Sequence, residues 1–293
     1  MEMTHAEYIA LTAEEMPTSL EAINGGLSQA GKYRATFGSD VRMVKLLRAD
    51  ERRLTWYMEL MKRADKSMAV PGKVRLFDDG TLCLISPWIS GESLEHVLAS
   101  ASEIETAKYG RAAAGIVAGL HRDSIEYPSF AISLRQRVGH ACAEVNRLGL
   151  TFPGHKKCVD FLLDEIKLRH PSRVSFVHMD LRPENFILSD GELYLIDFDN
   201  GTIGERASDF AYLTTMARPD HRSFSRALIK SYLGCADSEA FWRDNLFYST
   251  LAVTEYAIWK WNTKGRQVCY QAQNLMQQYD NLTSVIPKWW KEN

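Results

Sequence analysis

The stretch from Val177 to Asn200, VHMDLRPENFILSDGELYLIDFDN, constrains the fold more than any other part of the chain. It reads as strand, turn, strand, with Ser189-Asp190-Gly191 turning "NFIL" back into "LYLID". Most of the sequence around it carries helical periodicity: 102–122, 133–149, 156–169, 221–233, 239–261 and much of 263–282. A hairpin set among helices calls for a reason, and its polar residues supply one. Asp180 and Asn185 fall in the loop before the hairpin and Asp197 ends its second strand, so the turn brings Asp197 back beside Asn185.

A carboxylate next to an amide oxygen is a pair of hard oxygen donors. Such donors suit Mg²⁺, which uses few protein ligands and takes phosphate oxygens for the rest. The remaining carboxylate, Asp180, is then placed to accept a proton from an attacking hydroxyl. Those are the parts phosphoryl transfer requires. One Asp in a turn is commonly a cap; three oxygen-bearing residues at these intervals point to a site.

The first third reads differently. "GKYRATF" and "VRMVKLL" flank Gly38-Ser39-Asp40, and "KVRLF" and "TLCLIS" flank Asp78-Asp79-Gly80, giving two hairpins. Between them "ADERRLTWYMELMKRA" is an amphipathic helix, with Leu54, Met58 and Met61 at helical spacing. The expectation is an α+β chain: a small β-rich N-lobe with one helix over 1–90 and a larger, mainly helical C-lobe over 91–293. The boundary falls within Ser86 to Gly91. At 293 residues and 45% hydrophobic content the chain can bury a substantial core.

Charge and cysteine content narrow the function. With 35 basic and 37 acidic residues and a net charge of −2, no broad basic face for nucleic acid is expected. The five cysteines form no CxxC pair, which disfavours a disulfide framework or a zinc knuckle and fits a reducing cytoplasm. The N-terminus lacks the basic and apolar regions of a signal peptide, and no run reaches the ~20 apolar residues of a membrane span.

"HMDLRPEN" followed by "IDFDN" resembles the catalytic and metal-binding motifs of the aminoglycoside phosphotransferase and choline kinase superfamily, which has a bilobal protein-kinase-like fold. In detail the motifs are most similar to those of bacterial choline and thiamine kinase-like enzymes. The resemblance implies transfer of the γ-phosphate of ATP, with Mg²⁺, to a hydroxyl of a small molecule. It makes Asp180 the catalytic base, Asn185 and Asp197 the metal ligands, and Asp199 a further acid near metal or substrate. Arg182 stands where "DLKPEN" kinases carry a lysine facing the transferred phosphate. His178, His121 and Asp209 are expected to support the loop, with Arg206 a neighbour of Asp209.

The resemblance also assigns the nucleotide side. Gly26 and Ser28, in "NGGLSQAG", belong to a phosphate-covering loop. Lys45 contacts the α/β-phosphates, paired with Glu51 or with Glu59, of which Glu51 aligns better. In "LCLISPWISGESL", the Pro87 carbonyl and the Ile89 amide read the adenine edge.

For the acceptor, "FYSTLAVTEYAIWKWNTKG" places Glu255, Tyr256 and Trp259 within about one helical turn. An acid beside aromatic rings would bind a cationic amino alcohol such as choline, though such rings are commonly core. An aminoglycoside or other metabolite is the alternative acceptor. A nucleotide-binding scaffold without turnover is the alternative of another class. A protein kinase is disfavoured, because no long activation segment follows Asp197.

Overall fold

The computed structural model describes residues 3–23, 31–169, 174–216, 219–234, 239–265 and 269–291. In chain order its elements are α1 (His5–Ala13), β1 (Ser19–Ala22), β2 (Gly31–Phe37), β3 (Asp40–Arg48), α2 (Glu51–Met61), β4 (Lys73–Leu76), β5 (Thr81–Pro87), β6 (Glu92–Ser93) and α3 (Leu94–Leu98). There follow α4 (Glu103–Leu120), α5 (Phe130–Arg147), α6 (His155–Leu168), β7 (Ser175–Val177), β8 (Phe186–Ser189), β9 (Glu192–Leu195) and β10 (Thr202–Gly204). The chain ends with α7 (Arg222–Leu233), α8 (Glu239–Lys264), α9 (Tyr270–Gln278) and α10 (Lys288–Lys291). Two compact units result: Met1–Leu94 with Asn185–Phe198, and Glu95–Glu184 with Asp199–Asn293.

The first unit is built on a five-stranded antiparallel sheet of order β1-β2-β3-β5-β4. Strand alternation sorts its residues between two faces. Ala35, Phe37, Val44, Leu46, Cys83 and Ile85 pack against Tyr8 and Ile9 of α1. Lys45, between Val44 and Leu46, therefore points to the other face. Helix α1 lies outside the elements read from the sequence, although Thr4 and Glu7 form a capping box that marks its start.

Helix α2 forms where expected, capped by Asp50 accepting from the Arg53 amide at 3.0 Å. Its buried face differs from the one read from Leu54, Met58 and Met61. Trp56, Tyr57 and Leu60 are the buried residues, and Met58 is 48% exposed. The two rings have more apolar area to bury than the methionines, and Arg53 stacks 4.3 Å from the Trp56 ring centre.

The β8–β9 hairpin belongs by its contacts to the first unit. β8 pairs with β6 and β9. The Ala69 amide donates to the Leu195 carbonyl, and the Leu195 amide donates to Ser67, each at 2.8 Å. The left-handed Asp190 and Gly191, with φ of 48° and 79°, make the turn. Gly91 has no room for a side chain, since a Cβ there would lie 2.3 Å from the Leu188 carbonyl oxygen.

In the second unit α5, α6 and α8 share a core that includes Leu134, Val138, Cys158, Leu162, Phe247 and Leu251. Helices α4 and α7 approach closely at Gly110, where a Cβ would meet that of Ala227 at 2.5 Å. Strands β7 and β10 pair antiparallel on either side of the Asp180 loop in sequence. Cys83, Cys142, Cys158 and Cys269 are buried free thiols. Burial pushes Cys158 up to about 12, so it is inert as a nucleophile. Among the described residues no helix is long and apolar enough to cross a membrane.

Candidate active site

The motif residues divide between the two units. In the first unit, Asn185 and Asp197 bracket the β8–β9 hairpin, and the Ile196 amide donates to the Asn185 carbonyl at 2.9 Å. Asn185 is buried, and Asp197 holds a left-handed backbone with φ 63°. A non-glycine residue in that region is uncommon and tends to mark a functional position. Lys45 reaches Asp197 from β3, its Nζ 2.7 Å from Oδ1, with side chains only 12% and 28% exposed. Arg53 closes the same hairpin end by donating from Nη2 to the Phe198 carbonyl at 2.9 Å.

The structure does not pair Lys45 with Glu51. Glu51 occupies the first turn of α2, where its charge favours the helix N-terminus, and it faces solvent. Glu59 is held by Lys62 and Arg63 along its own helix. The short β3–α2 connection leaves Glu51 on the exposed start of the helix, and the hairpin supplies the acid instead. Pro87 ends β5 opposite Arg42 and is exposed, and Ile89 follows half-buried. Gly26 and Ser28 lie outside the described residues.

In the second unit Asp180 is 7% exposed. Its Oδ2 lies 3.0 Å from Arg182 Nη2 and 3.5 Å from Asn200 Nδ2. The residue before it, Met179, is left-handed with φ 66°, and Asp209 holds that conformation. The Asp209 carboxylate accepts from the Met179 amide, from the His178 amide at 2.9 Å and from His121 Nε2 at 2.9 Å. His121 Nδ1 in turn shares a hydrogen bond of 2.8 Å with the Tyr232 hydroxyl. His121 thus stands in a buried chain that fixes the loop. Arg206 contacts Ser124, at 3.5 Å. Asp199 is half-buried at the start of this unit's second segment.

Two features beside Asp180 went unread in the sequence. Buried Arg182 Nε and Glu184 Oε2 have no hydrogen-bond partner among the described residues. Burial, then the charge of Glu184, pushes the Tyr212 phenol up to about 12. Glu184 sits inside the motif itself, so its position was visible; its burial was not.

The residues expected to bind a cationic acceptor are engaged otherwise. Glu255 takes a two-pronged ion pair from Arg137, with Nε and Nη2 each 2.6 Å from its oxygens. Tyr256 and Trp259 lie 5.5 Å apart, and Lys260 and Lys264 stand 5.9 and 6.0 Å from their respective ring centres.

The donors of the first unit fit a hard divalent cation. Asp197 already holds a cationic ammonium, and Asn185 and Asp197 offer oxygen donors on adjacent chain segments. Among the described residues no group of three or more His, Cys, Asp or Glu could hold a metal. Mg²⁺ takes only one or two protein ligands and keeps water and phosphate oxygens, so the Asp197 carboxylate and the Asn185 amide oxygen are of the kind and number it uses.

No curated protein sequence matches this chain. Its fold is shared by solved structures of kinase-like α+β architecture. APH(2″)-IIa in a ternary complex with streptomycin and ATP is similar with TM-score 0.66 and 17% identity, over 92% of this chain and 95% of that one. A thermostable variant of aminoglycoside phosphotransferase APH(4)-Ia, with ADP and hygromycin B, gives TM-score 0.68 and 11% identity over 93% and 97%. Spectinomycin phosphotransferase APH(9)-Ia, with ADP and spectinomycin, gives TM-score 0.59 and 13% identity over 98% and 92%. The model of the phosphotransferase enzyme family matches residues 19–243, well over half of the chain, and the chain belongs to that family of small-molecule kinases.

Proposed function

We propose that the protein transfers the γ-phosphate of ATP to a hydroxyl of a small molecule. The observation that carries this reading is the Lys45–Asp197 pair: a strand lysine held against the acid that ends the motif hairpin. Asn185 and Asp197 are the residues that would hold Mg²⁺, which when bound neutralises phosphate charge. With nucleotide present, Lys45 turns its ammonium from Asp197 to the α/β-phosphates. The Pro87 carbonyl and Ile89 amide read the adenine edge, and Gly26 and Ser28 belong to the phosphate-covering loop.

Asp180 accepts the proton of the acceptor hydroxyl as that oxygen forms its bond to the γ-phosphorus and the bond to ADP breaks. Arg182, paired with Asp180, donates to the charge that develops on the transferred group. Its partnerless buried Nε–H supports such a contact. Asp209 acts through the Met179 and His178 amides, positioning Asp180 rather than touching substrate.

A choline-like acceptor draws no support from the 255–259 face, where Arg137 balances Glu255 and lysines stand by both rings. Aminoglycosides and other hydroxyl-bearing metabolites remain on equal terms with it. The test is nucleotide binding with and without Mg²⁺, followed by ADP release over choline, ethanolamine, thiamine, homoserine, sugars and aminoglycosides. Asp197→Ala is expected to abolish the Mg²⁺-dependent part of binding. Unchanged Mg²⁺ dependence in that variant would refute the metal assignment, and binding without turnover on any acceptor would favour the scaffold reading.

A further inference from the structure

A recess of about 190 Å³ opens in the second unit, walled by α5, α8, β10 and Met179. Its floor is Leu134, Met179, Gly204 and Tyr248; its rim carries Tyr127, Ser133, Thr202 and Arg137. The recess is smaller than the ~300–1,000 Å³ typical of drug-sized ligand sites, so its occupant is small. Arg137 is the charged residue of the lining; no acid lines the recess itself, and Glu255, outside the lining, engages one edge of the Arg137 guanidinium.

The state of each polar group defines what fits. The Tyr248 hydroxyl donates to Glu205 at 2.5 Å, and Glu205 is paired with Arg169 at 2.7 Å, so the floor offers no free charge. The hydroxyls of Tyr127, Ser133 and Thr202 have no hydrogen-bond partner among the described residues. Arg137 donates to Glu255 through Nε and Nη2. A guanidinium has five N–H donors, so its Nη1 edge remains for a second acceptor. The Glu255 contact fixes the plane of the guanidinium, which lowers the ordering cost of binding a planar anion. A carboxylate is the group that matches this fork.

We propose that this recess is a binding site for a small carboxylate with a short apolar or aromatic body, held by Arg137 and the rim hydroxyls. The site does not depend on the kinase reading. Its occupant contacts Met179, the left-handed residue directly before Asp180.

The experiment compares two probes of the same body and opposite charge, 3-(4-hydroxyphenyl)propionate and tyramine, by calorimetry on the full chain. The carboxylate is expected to bind at least ~10-fold tighter, a difference of about 1.4 kcal/mol. Arg137→Gln should erase that preference. Glu255→Gln, by removing the competing charge, should strengthen carboxylate binding several-fold; a merely structural ion pair would not respond with opposite signs. ADP release on adding the carboxylate to protein with Mg·ATP marks the occupant as acceptor, and binding without release marks it as effector; both support the site. Equal or tighter tyramine binding, binding of neither probe, or carboxylate affinity unmoved by Arg137→Gln overturns it. Should Arg137→Gln fail to fold, Ser133→Trp fills the recess from its rim and must remove carboxylate binding. Loss of Mg·ATP binding by the wild-type chain would sink the kinase reading alone.

Discussion

The two carboxylates of the motif stretch both hold a cation, and they acquire it by different routes. Asp180 pairs with Arg182, two residues along the chain and 3.0 Å away. Asp197 pairs with Lys45, 152 residues away in sequence and 2.7 Å away in space. The first pair is local and belongs to the second compact unit; the second is tertiary and belongs to the first. A local pair survives as long as its loop keeps its shape. A tertiary pair exists only once the five-stranded sheet and the hairpin have both formed. The proposed roles follow the same division: proton acceptance at Asp180, nucleotide and metal at Lys45 and Asp197.

Three substitutions test that division, in decreasing order of effect. Asp180→Asn keeps the shape of the side chain and removes its basicity. Turnover should fall ~10²–10⁴-fold with Mg·ATP affinity nearly unchanged. Full activity in this variant would remove Asp180 as base. Lys45→Met should lower turnover by roughly 10²-fold, and unlike Asp180→Asn it should also weaken Mg·ATP binding, since a phosphate contact is lost. If both variants leave nucleotide affinity intact, the contrast between the two pairs is wrong. A melting shift in Lys45→Met out of proportion to its loss of activity would make that pair a structural one.

Asp209→Asn sharpens the contrast from the side of the loop. It weakens charge-assisted bonds to two backbone amides, of His178 and Met179, each worth about 1.5–3 kcal/mol. The expected result is a lower melting temperature and a drop of about tenfold in turnover, with the Michaelis constant for ATP unchanged. A change confined to ATP affinity would show that Asp209 acts on nucleotide and not on the Asp180 loop.

How far the chain could be read depends on the range of the interactions involved. The strands and turns flanking Gly38 and Gly80 follow from alternation and turn chemistry, and they appear as β2–β3 and β4–β5. The β8–β9 hairpin follows in the same way. Helix α2 was legible as a helix, but its inward face was not. Which residues a helix buries depends on the shape of the surface it meets, and Trp56 and Tyr57 fill that surface better than Met58. The same limit applies to Glu255, which sits on the expected helix face; only the packing of α5 against α8 could reveal that Arg137 engages it.

The sequence alone determined the local chemistry: a hairpin that brackets an amide and a carboxylate, a loop with an acid beside an arginine, and sheets followed by helices. Those features depend on residues within one turn or one hairpin of each other. Tertiary structure decided which acid answers Lys45, that the motif hairpin packs with the first unit, and that Glu255 is matched by an arginine on another helix. These are pairings of charges far apart in the chain. Their energies are set by burial and by the geometry of packed elements, which no residue spacing encodes.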